Sequence, residues 1–178
     1  MSFPASSAVL RYLHGFSETQ YGAIFLPQVV LAVIGALAGS ALAGRLSLKF
    51  LLLASLAANA LSQLALAASA GLTSWAYVCI LFGTGCLGLG FGLSGAPLNS
   101  LPGLLFPARR DTALVAVHST IGAGLMLGPL LAGWADGADL WRAFPVGLLL
   151  LLLVLSWICI GTVLPNERQQ DSSPHPSC

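Results

Sequence analysis

Five uncharged apolar stretches alternate with short polar segments along this chain. A helix rises about 1.5 Å per residue, so roughly 20 apolar residues cross about 30 Å of bilayer hydrocarbon. All of the seven basic and six acidic residues lie outside the five stretches. The pattern therefore predicts an all-α, polytopic membrane bundle with transmembrane helices at residues 21–44, 50–70, 75–97, 112–135 and 143–164.

The polar segments predict how this bundle is bounded. Ser17 and Gln20 have the spacing of a capping box, which marks the start of the first helix. The short uncharged gap at residues 71–74 predicts that the second and third helices form a tight antiparallel pair. Three regions result: an extracytoplasmic N-terminal segment at residues 1–20, a five-helix domain at residues 21–165 and a cytoplasmic tail at residues 166–178. The tail is rich in Pro, Ser and Gln and is therefore predicted to be disordered.

Prolines predict where the third helix ends. Residues 75–106 are free of charge, but Pro97, Pro102 and Pro107 interrupt them. Proline lacks the backbone N–H of a helical hydrogen bond and disfavours a helical conformation in the residue before it. We expect the helix to weaken near Pro97 and to give way to a short interfacial segment before Arg109.

The distribution of cations predicts the orientation in the membrane, because positively charged loops are retained on the cytoplasmic side. Five of the basic residues fall on one side of the predicted spans and two on the other: Arg45, Lys49, Arg109, Arg110 and Arg168, against Arg11 and Arg142. The N-terminus is accordingly predicted to lie outside and the C-terminus in the cytoplasm. The membrane is predicted to be the plasma or inner membrane of the cell.

Composition excludes several functional classes. With 57% hydrophobic residues, 7% charged residues and a mean hydropathy of +0.89, the chain is not a soluble domain, and the absence of charged runs argues against nucleic-acid binding. The spans contain no acidic residue, and the sequence has no HExxH or GxSxG motif. The four cysteines lack metal-binding spacing. We therefore expect no enzyme activity, no cofactor and no metal site.

Glycine recurs with the same spacing in two predicted helices. Small residues four apart allow transmembrane helices to approach closely. The repeated spacing has two rival explanations, internal duplication and chance. The two sets are Gly35, Gly39 and Gly44 in the first helix, and Gly124, Gly128 and Gly133 in the fourth.

Two segments resemble motifs of the major facilitator superfamily. Residues 40–49, SALAGRLSLK, resemble the family's loop motif G-x-L-A-D-R-x-G-R-K, with Arg45 and Lys49 at its cation positions and Gly44 in place of its aspartate. Residues 124–133, GLMLGPLLAG, resemble the fifth-helix motif G-x-x-x-G-P-x-x-G-G, with Pro129 in the bend. Shorter likenesses at residues 17–22, 88–92 and 106–111 occur in the family's order.

This resemblance implies a function and an architecture. The five spans correspond to helices two to six of the family's six-helix N-terminal half, without the first helix. The chain would then be a secondary transporter of a small solute by alternating access, truncated or dependent on a partner, which would be a second half-transporter or a second copy in a homodimer. A non-transporting membrane remnant or assembly subunit is the alternative. Thr84 stands where proton antiporters of the family often carry an arginine, which argues against that coupling.

Polar side chains at depth are the candidate substrate contacts: Gln28, Asn99 and His118. A titratable ring inside a span is costly and often marks a transport pathway. Interhelical hydrogen bonding is the structural explanation for the same residues. Arg45 and Lys49, with Arg109 and Arg110, are either a conformational latch or charges that only set the topology.

Overall fold

The structure is a computed structural model that describes residues 15, 17–69, 71–72, 74–137 and 143–164. In this part of the chain every regular element is a helix, and there is no strand. The elements in chain order are α1 Glu18–Ala23, α2 Leu26–Ala43, α3 Leu48–Ser69, α4 Ala76–Leu105, a 3-10 turn Pro107–Arg109, α5 Arg110–Gly137 and α6 Ala143–Gly161.

Five helical segments are long and apolar enough to cross a membrane, which confirms the predicted fold class and number of spans. They are Thr19–Ala43, Leu48–Ser69, Ala76–Leu105, Pro107–Ala135 and Ala143–Gly161. The chain is thus a multi-pass membrane protein. The predicted disordered tail at residues 166–178, most of the N-terminal segment, and the charged loop that holds Arg142 lie outside the described residues.

The capping box begins the first span as predicted. The Ser17 hydroxyl accepts a hydrogen bond from the Gln20 backbone N–H at 3.2 Å, and the Ser17 N–H donates to the Gln20 side chain at 3.0 Å. Two orphan groups at the helix start are thereby satisfied. Helix α2 follows after a short break, with Pro27 near its start, where a missing N–H costs nothing.

Helix α4 is the centre of the bundle. It packs extensively against α2 on one side and α3 on another, while α6 lies against α3 and α5 against α4. The tight pairing of α3 and α4 confirms the prediction from the short connection between them. Since successive membrane spans alternate in direction, α2 and α4 run parallel to each other.

Glycines allow α4 to approach both neighbours. A Cβ atom at Gly88 or Gly92 would collide with the α2 backbone, at Gln28 and Ala32 respectively. A Cβ atom at Gly90 would lie 2.5 Å from the Asn59 amide nitrogen of α3. Residues two apart face nearly opposite sides of a helix, so one glycine run serves two interfaces.

Helix α2 contributes the matching glycines. Gly35 and Gly39 are buried, and a Cβ atom at Gly35 would lie 2.8 Å from the Leu89 carbonyl oxygen. The four-residue spacing of Gly35 and Gly39 therefore allows the close van der Waals contact by which helices associate in membranes. Gly44, the third glycine of the set, is exposed and meets no described atom within 4 Å of its Cβ position.

The expected end of the third span near Pro97 is wrong. Helix α4 continues through Pro97 and Pro102 to Leu105, and only then does the 3-10 turn lead to Arg109. Each proline removes one backbone hydrogen bond, but leaving the helix within a bilayer would strand several N–H and C=O groups without water. Both prolines are buried, so packing against neighbouring helices holds them in the helical path.

Candidate solute-binding cleft

An open cleft of about 450 Å³ lies between α2, α4 and α5. Its walls are mostly apolar, and none of its described lining residues carries a permanent charge. The lining comprises Ala32, Val33 and Ala36 of α2, Phe91, Gly92, Ser94, Gly95, Leu98 and Asn99 of α4, and His118 and Ile121 of α5.

Asn99 and His118 form a hydrogen-bonded pair in this cleft. The Asn99 amide nitrogen donates to the Gly95 carbonyl at 2.7 Å, which turns the amide oxygen toward α5. That oxygen lies 3.2 Å from His118 Nε2. An amide oxygen can only accept, so Nε2 of His118 must carry the proton. In the neutral ring Nδ1 is then left as an acceptor.

The pair lies well below the end of the bundle. Asn99 is six residues from the end of α4 and His118 eight from the start of α5, which places both about 9–12 Å along the helix axes from that end. Both side chains are exposed to the cleft. A polar pair at this depth in an apolar cleft is available to a bound solute as well as to its own partner.

Gln28 lies apart from this pair. It is near the start of α2, about 22 Å along the axis from the end of that helix. The end of α2 lies at the same end of the bundle as Leu105, and Gln28 is not among the cleft's lining residues. Its backbone packs against Gly88, and its side-chain oxygen is buried without a hydrogen-bond partner among the described residues. The structure thus brings together two of the three predicted substrate contacts.

Sequence reasoning missed the apolar lining residues. Phe91, Gly95 and Asn99 recur every four residues, so they share one face of α4. Starting from Asn99 and stepping back by helical turns would have found this face. The opposing residues of α2 had no comparable signal, because the rotation of one helix against another is fixed only by packing.

The two cations of the loop motif, and Arg109 after α4, have separate surroundings. Lys49 donates from its ammonium nitrogen to the carbonyl oxygens of Ile160 and Thr162 at 2.7 and 2.8 Å. Arg45 is exposed in the loop after α2, and Arg109 is exposed on the 3-10 turn. These contacts place the start of α3 and the end of α6 at the same end of the bundle, together with the end of α4.

The second glycine set lies on an uncovered face. Helix α5 continues through Pro129, and Cβ atoms at Gly124, Gly128 and Gly133 would meet nothing within 4 Å among the described residues. None of the α5 residues from Arg110 to Leu131 is buried. The spacing that packs α2 onto α4 therefore has no packing partner on α5 among the described residues.

Among the described residues, no group of three or more His, Cys, Asp or Glu side chains could hold a metal ion. Cys79, Cys86 and Cys159 are free thiols. Thr84 is fully buried, and its hydroxyl donates to the Leu81 carbonyl of its own helix at 2.9 Å.

Comparisons with known proteins agree with this architecture. The sequence model of the Major Facilitator Superfamily matches residues 1–177. No curated protein and no solved structure matches the chain. Members of this family are transporters of small solutes in membranes and are not enzymes. Because the family's sequence model matches nearly the whole chain, and because five helices are long and apolar enough to span a membrane, the chain belongs to the major facilitator superfamily.

Proposed function

We propose that this chain moves a small solute by alternating access and that the cleft between α2, α4 and α5 is its share of the solute pathway. The observation that carries the proposal is the Asn99–His118 hydrogen bond of 3.2 Å between two membrane spans. Polar and ionisable groups at this depth face cavities or partners and mark pathways. Arg45, Lys49, Arg109 and Arg110 lie at the end proposed to be cytoplasmic.

The chemistry of the cleft favours one class of solute. Phe91, Val33 and Ile121 offer apolar contact, and the Asn99–His118 pair offers hydrogen bonds. No permanent charge among the described lining residues is placed to pair with an ionic group. We therefore propose a small uncharged solute with an apolar body and at least one hydrogen-bonding group.

We further propose that this transport depends on another transmembrane helix or a second copy of the chain. The support is the contrast between two glycine sets of equal spacing: Gly35 and Gly39 are covered by α4, while no described residue covers Gly124 and Gly128. The uncovered face equally favours the alternative function, a non-transporting assembly subunit that binds a partner through α5.

Binding of matched solutes tests the proposal. The purified chain in nanodiscs is titrated with pairs of radiolabelled solutes that share one carbon skeleton and differ only in an amide or a carboxylate. We expect the amide member to bind and His118→Ala to weaken its binding at least five-fold, with Thr120→Ala as the matched control. Thr120 lies two residues away on α5, bonds to the Ala116 carbonyl of its own helix and does not line the cleft.

Counterflow in proteoliposomes then separates the two functions. An accelerated exchange of the bound solute supports a carrier. Failure to bind any solute, or equal binding by the His118→Ala variant, contradicts the pathway. Specific binding without counterflow, under conditions where the chain associates with itself or a partner, supports the assembly subunit instead.

A further inference from the structure

A second apolar crevice of about 450 Å³ lies between the last turns of α4 and the first turns of α5. Its described lining is apolar except for Arg109 and Thr112, and it includes both helix prolines of α4. It runs from Pro97 to Leu105, a rise of about 12 Å. That is close to the roughly 15 Å hydrocarbon depth of one leaflet.

One cation lies at the mouth of this crevice. Arg109 is exposed on the 3-10 turn, and within the described part of the chain its side chain forms no ion pair. The neighbouring Arg110 instead lies against α4, with its side chain 3.0–3.2 Å from the Cβ position of Gly103. Asp111 follows on the first turn of α5 and is also exposed.

The same end of the bundle is electropositive. Its described charged residues are four cations and one carboxylate: Arg45, Lys49, Arg109, Arg110 and Asp111. Clustered basic residues at a membrane surface attract anionic lipids, and basic pockets between transmembrane helices bind their phosphate headgroups.

We propose that this crevice binds an anionic phospholipid, with one acyl chain between α4 and α5 and the headgroup phosphate on Arg109. The apolar wall has the depth of an acyl chain within one leaflet, and the single cation at its mouth complements the phosphate. A free anion would make no contact with the apolar wall, and an apolar solute would make no ion pair with Arg109.

The crevice adjoins the solute cleft. Leu98 lines both the crevice and the solute cleft, and Ala116 and Val117 of the crevice wall directly precede His118. Because no α5 residue from Arg110 to Leu131 is buried, this part of α5 has little packing of its own. A bound acyl chain would brace α5 against α4 beside the Asn99–His118 pair.

Native mass spectrometry of the purified full chain tests the lipid site without reference to transport. The chain is titrated with phosphatidylglycerol and with phosphatidylcholine of identical acyl chains. We expect a preference for phosphatidylglycerol of at least five-fold, which Arg109→Gln removes and Arg109→Lys retains. Arg45→Gln is the matched control, since it removes a cation from the same end of the bundle but outside the crevice. Ala113→Leu, which fills the crevice, should weaken binding of both lipids.

Several results would overturn this assignment. Equal binding of the two lipids, or an unchanged preference in Arg109→Gln, would show that Arg109 holds no headgroup. Competition by inorganic phosphate as strong as that by phosphatidylglycerol would show an anion site without an acyl chain. A dimer in which the crevice is protected and no lipid is retained would assign the crevice to a second copy of the chain.

Discussion

The Lys49 ammonium nitrogen donates to the Ile160 carbonyl oxygen at 2.7 Å and so joins the start of α3 to the end of α6. The last carbonyls of a helix have no partner within it and carry the negative end of its dipole. A second bond to the Thr162 carbonyl at 2.8 Å completes the cap. Gly44 replaces the aspartate of the family's loop motif, but Lys49, a cation of that motif, still binds the end of a helix within this chain.

Replacing Lys49 should loosen the contact between α3 and α6. We expect Lys49→Met to lower the free energy of unfolding by about 1 kcal/mol, since two charge-assisted bonds are lost at a partly exposed site. Thermal unfolding in detergent measures this change. Arg45→Met is the control, because Arg45 is exposed and lies four residues away in the loop before α3. Equal losses in the two variants would mean that the effect reflects only the net charge of the loop.

Gly92 should tolerate no side chain. A Cβ atom there would collide with the Ala32 carbonyl and lie 2.6 Å from the Ala36 nitrogen, both backbone atoms of α2. Overpacking at such a contact typically costs about 1–3 kcal/mol. We expect Gly92→Val to reach the upper part of this range, measured by unfolding in detergent. Gly147→Ala on α6 should be neutral or slightly stabilising, because no described atom lies within 4 Å of its Cβ position and alanine favours a helix. A Gly92→Val variant as stable as the parent would contradict the close α2–α4 contact.

The sequence was sufficient for features that depend on one helix at a time. Hydropathy predicted five spans, and the Ser17–Gln20 box predicted where the first begins. The sequence mispredicts the end of α4, because the local effect of proline on a helix does not include packing, and Pro97 is fully buried among neighbouring helices. The Asn99–His118 contact and the Ile160 acceptor of Lys49 depend on how helices rotate and stack against each other. Neither relationship is encoded in the spacing of residues within one span.

The Asn99–His118 hydrogen bond should couple α4 to α5 modestly. A double-mutant cycle with Asn99→Leu, His118→Phe and the double variant isolates the pairwise energy. Hydrogen bonds between transmembrane helices average about 0.6 kcal/mol, so we expect a coupling of about 0.5–1 kcal/mol in unfolding experiments. Asn99→Leu with Thr120→Val is the control cycle, because Thr120 bonds within its own helix. A coupling of zero in the first cycle would show that the pair does not hold the two helices together.

Gly128 should matter for association and not for the stability of the chain itself. Its Cβ position meets no described atom within 4 Å, unlike that of Gly92 on the α2–α4 contact. Gly128→Leu should therefore leave the unfolding of the isolated chain within about 0.5 kcal/mol of the parent, as surface substitutions do. If α5 binds another helix through its glycine face, the same variant should lose the associated species, because a bulky side chain prevents close approach.

Native mass spectrometry measures the associated fraction, and the mass of the associated species distinguishes a second copy of the chain from another protein. Trp157→Leu on α6 is the control, since this side chain is 79% exposed and lies outside the glycine face. Unchanged association in Gly128→Leu would refute coverage of α5 through its glycines, and a large loss of stability in the isolated chain would show that Gly128 already has a packing partner within it.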